Sequence, residues 1–552
     1  MNCITTRLPY RQTHAFSKIA LDYIDQAAAL KPFIAYPPTL QGIQKAIEAR
    51  KQFKTDLTTG QAGRKTLVNE LKKQYEAVET TGAVKNNIES LLSPDTFTIT
   101  AAHQNNIFTG PLYFIYKIVH AIKLAEHLKT SFSKQDFVPV FYLGTEDADL
   151  EELNHIYLGG EKLVWETKQT GTVGRMKIDK ALLKLIDRME GQLTVLPQGD
   201  EIISLLRKFY TEGTTVQDAT FRFVNHLFAE YGLVVLLPDN AALKKQMMDV
   251  FRDDLLNQTA SGIVEKTAER LQRAGYKAQV NAREINLFYL KDDLRERIVR
   301  LKNQLTIHNP IAIGSPLTFS EKEIFDELKE FPERFSPNVI LRGLYQESIL
   351  PNIAFIGGAG ETAYWLQLKE LFDHNKIPFP VLVLRNSFLI LEKKWQEKIA
   401  RLGFTAEDFF LPEQELMNKL VQRESKNETK LNLPDRQAGG PLTEVEQLYE
   451  SFKKQAVAVD STLEKHVDAL KLKTVFRLKE LEKKMLRAEK RKFADQQRQI
   501  HAIKEQLFPG GGLQERRENL SYYYAKWGGD FIQQLYSASL SLEQEFVVLQ
   551  EK

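Results

Sequence analysis

The sequence predicts an α/β protein with a Rossmann-like parallel sheet, helical insertions and a long α-helical coiled coil. Two strand–helix–strand patterns predict the sheet, because a crossover helix between two strands places those strands parallel to each other. A long run without proline or glycine, Leu442–Leu507, predicts the coiled coil.

Short segments rich in β-branched and apolar residues alternate with helical ones in two parts of the chain. The first pattern is strand Thr96–Ala101, a helix over about 112–128 and strand Phe137–Leu143. The second is strand Asn352–Ile356, a helix from about Thr362 to Phe372 and strand Pro380–Leu384, with another strand at Leu233–Leu237. Residues 15–95 and 517–550 are predicted to be mostly helical.

Heptad-like spacing marks the later part of the chain. Leu478, Leu481, Met485 and Ala488 follow a 3-4-3 spacing, and charged residues fill many of the positions around them. Asp460 is a predicted N-cap that divides the run into a shorter helix and one of about 48 residues, about 70 Å long. Such a stripe needs a partner helix, from the same chain or from a second subunit.

Three regions follow from these patterns. Residues 1–395 form the predicted Rossmann-like core with insertions at about 156–230 and 255–335, residues 396–515 the helical coiled-coil domain, and residues 516–552 a helical segment that returns to the core. Residues 424–441 are polar, contain two prolines and a glycine pair, and are predicted to be a loop.

The composition of the chain bears on its cellular compartment and on the kinds of partner that it could bind. The formal net charge is +3 over 552 residues, so overall charge does not favour binding to nucleic acid. The single cysteine, Cys3, excludes an intramolecular disulfide and a cysteine-based zinc cluster. The first residues lack the apolar core of a secretion signal, and no segment approaches the roughly 20 apolar residues that span a bilayer. We therefore expect a cytoplasmic protein without a membrane partner.

Polar residues follow the first predicted strand and continue into the next helix. They are His103, Gln104, Asn106, Thr109, Gly110 and Pro111, with Tyr113 and Lys117 at the start of the helix. Ligands of doubly wound sheets bind outside the carboxyl ends of the strands, and helix N–H groups attract anions. The segment therefore predicts a site for a substrate or phosphate; the alternative is a plain strand-to-helix connection.

Carboxylates cluster after the strand Phe137–Leu143. The segment contains Glu146, Asp147, Asp149, Glu151, Glu152, Asn154 and His155. Carboxylates at a strand end can bind an ammonium group, hold Mg²⁺ or act as a general base. The alternative is an acidic first helical turn that interacts favourably with the helix dipole. The neighbouring Asn154 and His155 favour a functional site.

Arg342 and a glycine-rich turn form a third candidate site. The turn contains Gly357, Gly358, Gly360 and Glu361, Tyr364 follows it, and Gln346 and Glu347 lie near Arg342 in sequence. Such a turn can hold an anion, and an arginine can pair with a carboxylate or phosphate through two hydrogen bonds. The alternative is a turn that serves only close packing. The chain has no Walker P-loop, HExxH or GxSxG motif, which argues against hydrolases and zinc enzymes.

Basic residues form a stripe on the predicted coiled coil. They are Lys479, Lys483, Lys484, Arg487, Lys490, Arg491 and Lys492. A solvated helix face is the main interpretation. The alternative is an arm that contacts tRNA, for which binding with a steep salt dependence is expected.

These segments together resemble the BshC family of cysteine ligases of bacillithiol biosynthesis. The resemblance rests on FTGPLYFIYK (108–117), on TEDAD followed by ExNH (145–155), on YQE…PxxAxIGGxGExAYW (345–365), and on LEKKMLRAEKRK with LFPGGGLQER (481–516). The blocks span most of the chain in order. Two positions depart from the family pattern: Ala148 stands where a histidine is common, and Gly343 where Arg-Pro is usual.

The resemblance implies a fold similar to class I aminoacyl-tRNA synthetases and nucleotidyltransferases, with a coiled coil that forms a homodimer. It implies a ligase that joins cysteine to the amino group of glucosaminyl-malate, which gives bacillithiol. It also suggests an ATP- or ADP-type nucleotide, with Mg²⁺ as a further cofactor and no other metal. The nucleotide pocket is expected near the base of the coiled coil, at Gly510, Gly511, Gly512 and Arg516.

In the mechanism that we expect, the carboxyl group of cysteine is activated before the sugar amine attacks it, because amide formation from a carboxylate is uphill in water. Glu146, Asp147, Asp149 and His103 are the predicted catalytic residues. The Thr109–Pro111 turn and the glycine-rich turn hold anionic groups, and Arg342 holds the malate carboxylates. The alternatives are a synthetase-like RNA- or nucleotide-binding protein without ligase activity, and a nucleotidyltransferase or ligase for another amine.

Overall fold

The computed structural model describes residues 1–53, 61–291, 293–301, 304–307, 317–425 and 441–552. They divide into two compact units, Met1–Ile390 together with Gly512–Lys552, and Leu391–Gly511. The smaller unit is thus inserted into the chain of the larger one. Most of the predicted loop at 424–441 lies outside the described residues.

The strands of the described residues form four sheets. They are β1 (Cys3–Pro9), β2 (Thr96–Gln104), β3 (Asp136–Gly144), β4 (His155–Leu158), β5 (Glu161–Val164), β6 (Val234–Leu236), β7 (Leu287–Lys291), β8 (Leu294–Leu301), β9 (Gln304–Ile307), β10 (Leu317–Phe319), β11 (Phe335–Pro337), β12 (Asn352–Gly357), β13 (Val381–Leu384), β14 (Ser387–Leu391) and β15 (Glu545–Glu551).

The central sheet is parallel and has the strand order β13-β12-β2-β3-β6. Thr100 of β2 lies opposite Phe355 of β12 on one side and Val140 of β3 on the other. These strands are buried along nearly their whole length, which is typical of a parallel sheet covered on both faces. The predicted α/β fold class is therefore confirmed, and all five predicted strands are present.

Helices surround this sheet in the part of the larger unit before Leu391. They are α1 (Lys18–Ile24), α2 (Leu40–Gln52), α3 (Gln61–Tyr75), α4 (Gly82–Ser90), α5 (Tyr113–Ser131), α6 (Leu150–Leu153), α7 (Lys180–Leu193), α8 (Gly199–Phe209), α9 (Val216–Phe228), α10 (Ala241–Lys244), α11 (Met248–Leu256), α12 (Thr259–Arg273), α13 (Glu321–Glu330), α14 (Val339–Ile349), α15 (Ala359–Trp365) and α16 (Lys369–His374). The predicted crossover helix between β2 and β3 is α5.

The prediction of a single helix from about Thr362 to Phe372 is wrong, because the structure has two helices there, α15 and α16. The chain turns between them, and the side chain of Gln367 is used for a contact across the unit. Its Oε1 accepts from the Gln279 N–H at 2.6 Å, and its Nε2 donates to the Val280 carbonyl at 3.0 Å. This tertiary contact favours a break that the local sequence does not reveal.

The end of the larger unit was predicted to be helical and is so only in part. The helices of the smaller unit are α17 (Lys393–Arg401), α18 (Glu413–Glu424), α19 (Pro441–Val459), α20 (Glu464–Lys490) and α21 (Ala494–Leu507). The end of the larger unit then contains α22 (Leu520–Trp527) and α23 (Gly529–Ala538). The chain then forms β15, which pairs antiparallel with β1 from Cys3↔Glu551 to Pro9↔Glu545. Neither strand was predicted, because each gains its stability from a partner more than 500 residues away in sequence.

The two predicted insertions have different structures. Residues 156–230 contain the small β4–β5 hairpin and the helices α7, α8 and α9. Residues 255–335 contribute α12 and α13 and an antiparallel sheet of strand order β10-β9-β8-β7-β11. This sheet brings Arg295 of β8 to the edge of the central cavity described below.

Within the smaller unit, α19 and α20 form an antiparallel hairpin. The Tyr449 hydroxyl lies 2.7 Å from Thr474 Oγ1, and Lys453 pairs with Asp468 at 2.9 Å. The side chain of Asp460 accepts from the Thr462 N–H at 2.8 Å, which confirms the predicted N-cap. The same chain thus supplies a partner helix for the apolar stripe.

The helix of about 48 residues predicted after Asp460 is interrupted. A 3-10 turn at Arg491–Phe493 separates α20 from α21, and Phe493 has non-helical backbone angles (φ −110°, ψ 31°). Within the basic stripe, Lys483 pairs with the exposed Glu480, as on a solvated helix face, whereas Lys492 pairs with the buried Glu489. RNA binding by this stripe stays a prediction. None of the described helices is long and apolar enough to cross a membrane.

His120 on α5 makes the stability of the larger unit depend on pH. Its buried ring donates from Nε2 to the Ser541 carbonyl at 2.7 Å and accepts at Nδ1 from the Asn386 N–H at 3.0 Å. Burial lowers the pKa of His120 to about 4, whereas an unfolded histidine has a pKa of about 6.5. Between these values the unfolded chain binds more protons than the folded one, so the free energy of unfolding decreases as the pH falls.

Lowering the pH from about 7 to about 5 is therefore expected to reduce the free energy of unfolding by about 2 kcal/mol through His120 alone. The variant His120→Gln cannot be protonated. It should be less stable at neutral pH but should lack this part of the pH dependence. Urea unfolding at both pH values measures the difference, and an unchanged pH dependence in the variant would assign the effect to other groups.

Candidate functional site

A cavity of about 530 Å³ lies at the carboxyl ends of the central strands. Each strand brings a residue to its wall: His103 from β2, Thr145 after β3, Pro238 after β6, Gly358 after β12 and Arg385 after β13. Ligands of open parallel sheets bind at this edge. The cavity is therefore the candidate functional site.

Twelve of the residues predicted from the sequence line this cavity. They are His103, Gln104, Tyr113, Lys117, Glu146, Asp147, Arg342, Gly358, Gly360, Glu361, Tyr364 and Arg516. The lining contains five cationic side chains and three carboxylates, with Arg295 and Arg385 among the cations. The excess of positive charge favours an anionic ligand.

Glu146 belongs to a buried ionic network. Its carboxylate pairs with the ammonium group of Lys244, which is fully buried and lies 3.3 Å from Asp239. Arg175 binds the same Asp239 through two hydrogen bonds of 2.7 and 2.9 Å. Burial raises the pKa of Glu146, an effect that Lys244 opposes. Because Lys244 already satisfies it, Glu146 is a weaker candidate than Asp147 for binding an ammonium group.

Two hydrogen bonds orient the carboxylate of Asp147. Its Oδ2 accepts from Gln104 Nε2 at 2.7 Å, and its Oδ1 accepts from the Asp149 N–H at 3.1 Å. Gln104 also donates to Glu152 at 3.2 Å. Within the part of the chain that the structure describes, Asp147 forms no ion pair. It is thus the cavity carboxylate that is best placed to bind a positively charged group.

The other predicted members of the acidic segment have structural roles outside the cavity wall. Asp149 is the N-cap of α6 and accepts from the Glu152 N–H at 3.2 Å, which is the helix-turn alternative. Asn154 donates to the Trp165 carbonyl at 3.4 Å. His155 starts β4, and its Nδ1 lies 3.1 Å from the Glu151 carbonyl oxygen. The polar cluster in the sequence therefore divides into two residues that line the cavity, Glu146 and Asp147, and a turn with structural roles.

His103 presents an unsatisfied nitrogen. Its ring packs edge-on against Tyr113 and Phe114 at centroid distances of 5.0 and 5.7 Å, and its buried Nε2 has no hydrogen-bond partner among the described residues. Burial, aided by the charges of Lys117 and Arg385, lowers the pKa of His103 well below 6.5. A neutral imidazole in this position is suited to hydrogen-bond a ligand.

The turn after β2 is buried rather than open to an anion. Phe108, Thr109 and Gly110 all have positive φ angles (48°, 67° and 61°), and a Cβ at Gly110 would lie 2.7 Å from Asn106 Cβ. Asn519 holds this strained turn, because its Nδ2 donates to the carbonyls of Phe108 at 3.0 Å and Gly110 at 2.6 Å.

The residues of the turn lie outside the cavity wall, and the ligand-binding roles expected for them stay a prediction. Asn106, Thr109 and Gly110 are buried and Pro111 is half-buried, and none of the four lines the cavity. The turn instead fixes the start of α5, whose residues Tyr113 and Lys117 do line it. Lys117 is buried, donates to the Ala102 carbonyl at 2.8 Å and pairs with Glu361.

Arg342 is a cation without a carboxylate partner in the described residues. Its Nη2 donates to the Tyr364 hydroxyl at 2.6 Å, and its guanidinium lies 5.8 Å from the centre of the Tyr142 ring. Its Nη1 is 3.5 Å from Gln346 Oε1, at the limit of a hydrogen bond. Two aromatic side chains thus fix the position of Arg342 while its charge remains available to an anion.

Three residues near Arg342 were predicted to bind substrate, but none of them lines the cavity. Glu347 is fully buried and pairs with Arg50 at 2.8 Å. Gln346 donates to Glu347 at 2.9 Å, and Gly357 ends β12, where its carbonyl accepts from the Arg385 N–H at 2.8 Å. These residues make structural contacts outside the cavity wall.

The glycines predicted to hold a nucleotide do not join Arg516 in the cavity wall. Gly510 and Gly511 belong to the smaller unit, and Gly512 is an exposed residue of the larger one. Arg516 lines the central cavity. The motif LFPGGGLQER is thus split by the boundary between the two units.

Arg295 and Arg385 line the cavity but were not predicted from the sequence as site residues. Arg385 directly follows the predicted strand Pro380–Leu384, and that position was a usable signal. Arg295 stands in an insertion, and its charge is placed beside Asp147 and Glu146 only by the tertiary fold.

The cavity has more cationic side chains than carboxylates, a charge balance that suits the phosphate groups of a nucleotide. Among the described residues, no group of three or more His, Cys, Asp or Glu side chains is arranged to hold a metal ion. Mg²⁺ usually binds through one or two carboxylates together with phosphate oxygens and water. Asp147 is of the type that supplies such a ligand.

Two family models cover nearly the whole chain. The model described as "Bacillithiol biosynthesis BshC, N-terminal Rossmann-like domain" matches residues 1–386, and the one described as "Bacillithiol biosynthesis BshC, C-terminal coiled-coil domain" matches residues 388–551. The chain belongs to the BshC family. The resemblance noted from the sequence is thereby confirmed, as are the Rossmann-like and coiled-coil domains.

Several relatives within the BshC family carry the name "Putative cysteine ligase BshC". The one from Flavobacterium johnsoniae is 37% identical over 545 residues, which cover 99% of this chain and 99% of the relative. The one from Flavobacterium psychrophilum is 38% identical over 532 residues, 96% of both chains. That from Cytophaga hutchinsonii is 36% identical over 532 residues, again 96% of both.

Proposed function

We propose that this chain is a ligase that joins the carboxyl group of cysteine to the amino group of glucosaminyl-malate, forming bacillithiol. One observation carries the proposal: among the described residues the cavity holds a carboxylate that forms no direct ion pair, Asp147, and a guanidinium that pairs directly with no carboxylate, Arg342. The first suits an amine and the second a malate carboxylate. The name of the relatives supports cysteine as the other substrate.

The reaction requires an activated carboxyl group, and we propose a nucleoside triphosphate with Mg²⁺ as the activator. In the activation, a carboxylate oxygen of cysteine attacks a phosphorus atom of the triphosphate, and the phosphoric anhydride bond to the departing phosphate-containing group breaks. The amine nitrogen then attacks the acyl carbon, the bond from this carbon to the phosphorylated oxygen breaks, and the phosphate or nucleoside monophosphate leaves. Asp147 takes the proton that the nitrogen loses. Gln104 holds the Asp147 carboxylate in place. His103 is suited to hydrogen-bond a substrate oxygen, because its Nε2 has no partner among the described side chains.

Purified protein incubated with cysteine, glucosaminyl-malate and ATP tests the proposal by mass spectrometry. Bacillithiol formation that depends on all three components is the expected result. The matched control is the same mixture with glucosamine in place of glucosaminyl-malate. Absence of an amide product under conditions where the protein remains folded contradicts the proposed function.

We also propose that the protein works in the cytoplasm as a homodimer through its helical hairpin. Several apolar side chains of α19 and α20 remain exposed, among them Phe452 (46%), Leu472 (72%) and Phe476 (59%). Light scattering measures the molar mass, and replacing Leu472 and Phe476 with serine should shift a dimer towards the monomer. A monomeric full-length protein contradicts this assignment.

Replacing Arg342 with lysine is expected to raise KM for glucosaminyl-malate about 10- to 100-fold. Lysine keeps the charge but loses the planar pair of donors that matches a carboxylate. KM for cysteine should change little, and steady-state kinetics with each substrate varied in turn separate the two values. A rise confined to KM for cysteine would place the malate elsewhere.

A further inference from the structure

Arg385 lines the cavity, yet it has no role in the mechanism above. It follows β13 directly, and its main chain is fixed at both ends. Its N–H donates to the Gly357 carbonyl at 2.8 Å, and its own carbonyl accepts from the Tyr10 hydroxyl at 3.1 Å. The residue is only 5% exposed. Because its main chain is fixed and the residue is buried, Arg385 has a defined position, unlike a mobile arginine on the surface.

The terminal nitrogens of this guanidinium are anchored. Nη2 donates to Glu515 Oε1 at 2.7 Å, and Nη1 donates to the Asn386 carbonyl at 3.0 Å and to Ser387 Oγ at 3.1 Å. Glu515 is fully buried and also accepts from the Ser387 hydroxyl at 3.1 Å. Glu515 therefore acts as a positioning residue that sets the plane of the guanidinium.

The Nε of Arg385 lies beside the glycine-rich turn. This Nε is buried and has no partner among the described residues. A Cβ built at Gly358 would lie 3.7 Å from this Nε, whereas one at Gly360 would meet nothing within 4 Å. A buried N–H without an acceptor is unfavourable. The arrangement therefore suits an acceptor that a ligand brings to the turn.

We propose that Arg385, with Lys117 and Arg516, binds the phosphate groups of the activating nucleotide at the Gly358–Gly360 turn. This inference rests on the proposed function. Three cations face two carboxylates here, Glu361 in the lining and the buried Glu515 that pairs with Arg385. Gly360 leaves space for a phosphate to approach the main chain.

Arg342 is held by different groups and serves a different anion. It contacts Tyr364 and Tyr142, whereas the Arg385 guanidinium lies 5.1 Å from the centre of the Tyr113 ring. The cavity thus has one subsite for phosphate and one for the malate carboxylates.

Calorimetric titration of the full-length protein with inorganic pyrophosphate and with malate tests this division. Arg385→Lys keeps the charge but lacks the Nε donor, so Kd for pyrophosphate should rise roughly 10- to 100-fold while Kd for malate stays unchanged. Arg342→Lys should show the opposite pattern. The control is Arg207→Lys, at an exposed arginine that pairs with Asp187 and Glu190, and it should change neither value.

Pyrophosphate binding that is equally tight in Arg385→Lys, or that the wild type lacks at millimolar concentration, overturns the proposal. Loss of malate binding in Arg385→Lys also overturns it, because Arg385 would then belong to the carboxylate subsite. If circular dichroism shows that this variant does not fold, Glu515→Gln replaces it. That variant keeps the guanidinium but weakens its anchor, and an unchanged Kd for pyrophosphate would contradict the proposal. These titrations need no turnover, so their outcome is separate from whether amide formation is detected.

Discussion

Replacing Asp147 with asparagine is expected to lower kcat for amide formation about 10²- to 10⁴-fold, the range for loss of a general base. Asparagine keeps the size of the side chain and an oxygen that can accept from Gln104, so the cavity should keep its shape. It removes the charge and the ability to take a proton. Mass-spectrometric initial rates at saturating substrates measure the effect.

Asp149→Asn is the matched control for this prediction. Asp149 is exposed and caps α6, and asparagine is an equally good N-cap, so activity and stability should both stay close to wild type. The opposite result, with Asp149→Asn inactive and Asp147→Asn active, would contradict the role of Asp147 and assign the proton transfer to Asp149. Equal loss in both variants would indicate that the acidic segment acts as a unit.

Replacing Arg50 with methionine is expected to destabilise the larger unit by about 3–5 kcal/mol, because a buried carboxylate loses its counter-ion. Arg50 Nη2 lies 2.8 Å from Glu347 Oε2, and its Nη1 donates to the Glu347 carbonyl at 2.9 Å. Both side chains are almost completely buried. The other oxygen of Glu347 accepts from Gln346 and Asn352, so the whole network depends on this charge. Urea unfolding followed by circular dichroism measures the loss.

A surface ion pair provides the comparison. Arg188 pairs with Glu161, and both side chains are about half exposed, so Arg188→Met should cost less than about 1 kcal/mol. The double variant Arg50→Met/Glu347→Gln should recover part of the stability, since no unpaired charge remains. An Arg50→Met variant that unfolds at the same urea concentration as Arg188→Met would contradict the assigned role of this pair.

The position of the site could be predicted from the sequence to a useful extent. His103 lies near the end of β2, Asp147 comes shortly after β3 and Gly358 directly follows β12. The carboxyl ends of parallel strands meet at one edge of a sheet. Each of these three residues lines the cavity. The edge is predictable because both β2–β3 and β12–β13 are strand–helix–strand units whose signals are local.

The roles of individual residues could not be predicted in the same way. Glu146 and Asp147 are neighbours in an acidic segment, but a lysine almost 100 residues later, Lys244, pairs with only the first. Glu347 and Arg342 stand in one helix, but Arg50 neutralises Glu347 and leaves Arg342 to the cavity. The sequence neighbours of a charged residue do not identify its counter-ion when that counter-ion comes from a distant element.

The sequence by itself determined the parallel sheet, the inserted helical unit and the edge at which the site lies, because strand patterns, helix periodicity and strand ends are local properties. Only the tertiary structure decided the pairing of β1 with β15, and it alone decided which charges in the cavity remain unpaired. Both depend on contacts between residues far apart in the chain, where burial and the choice of partner set the energy.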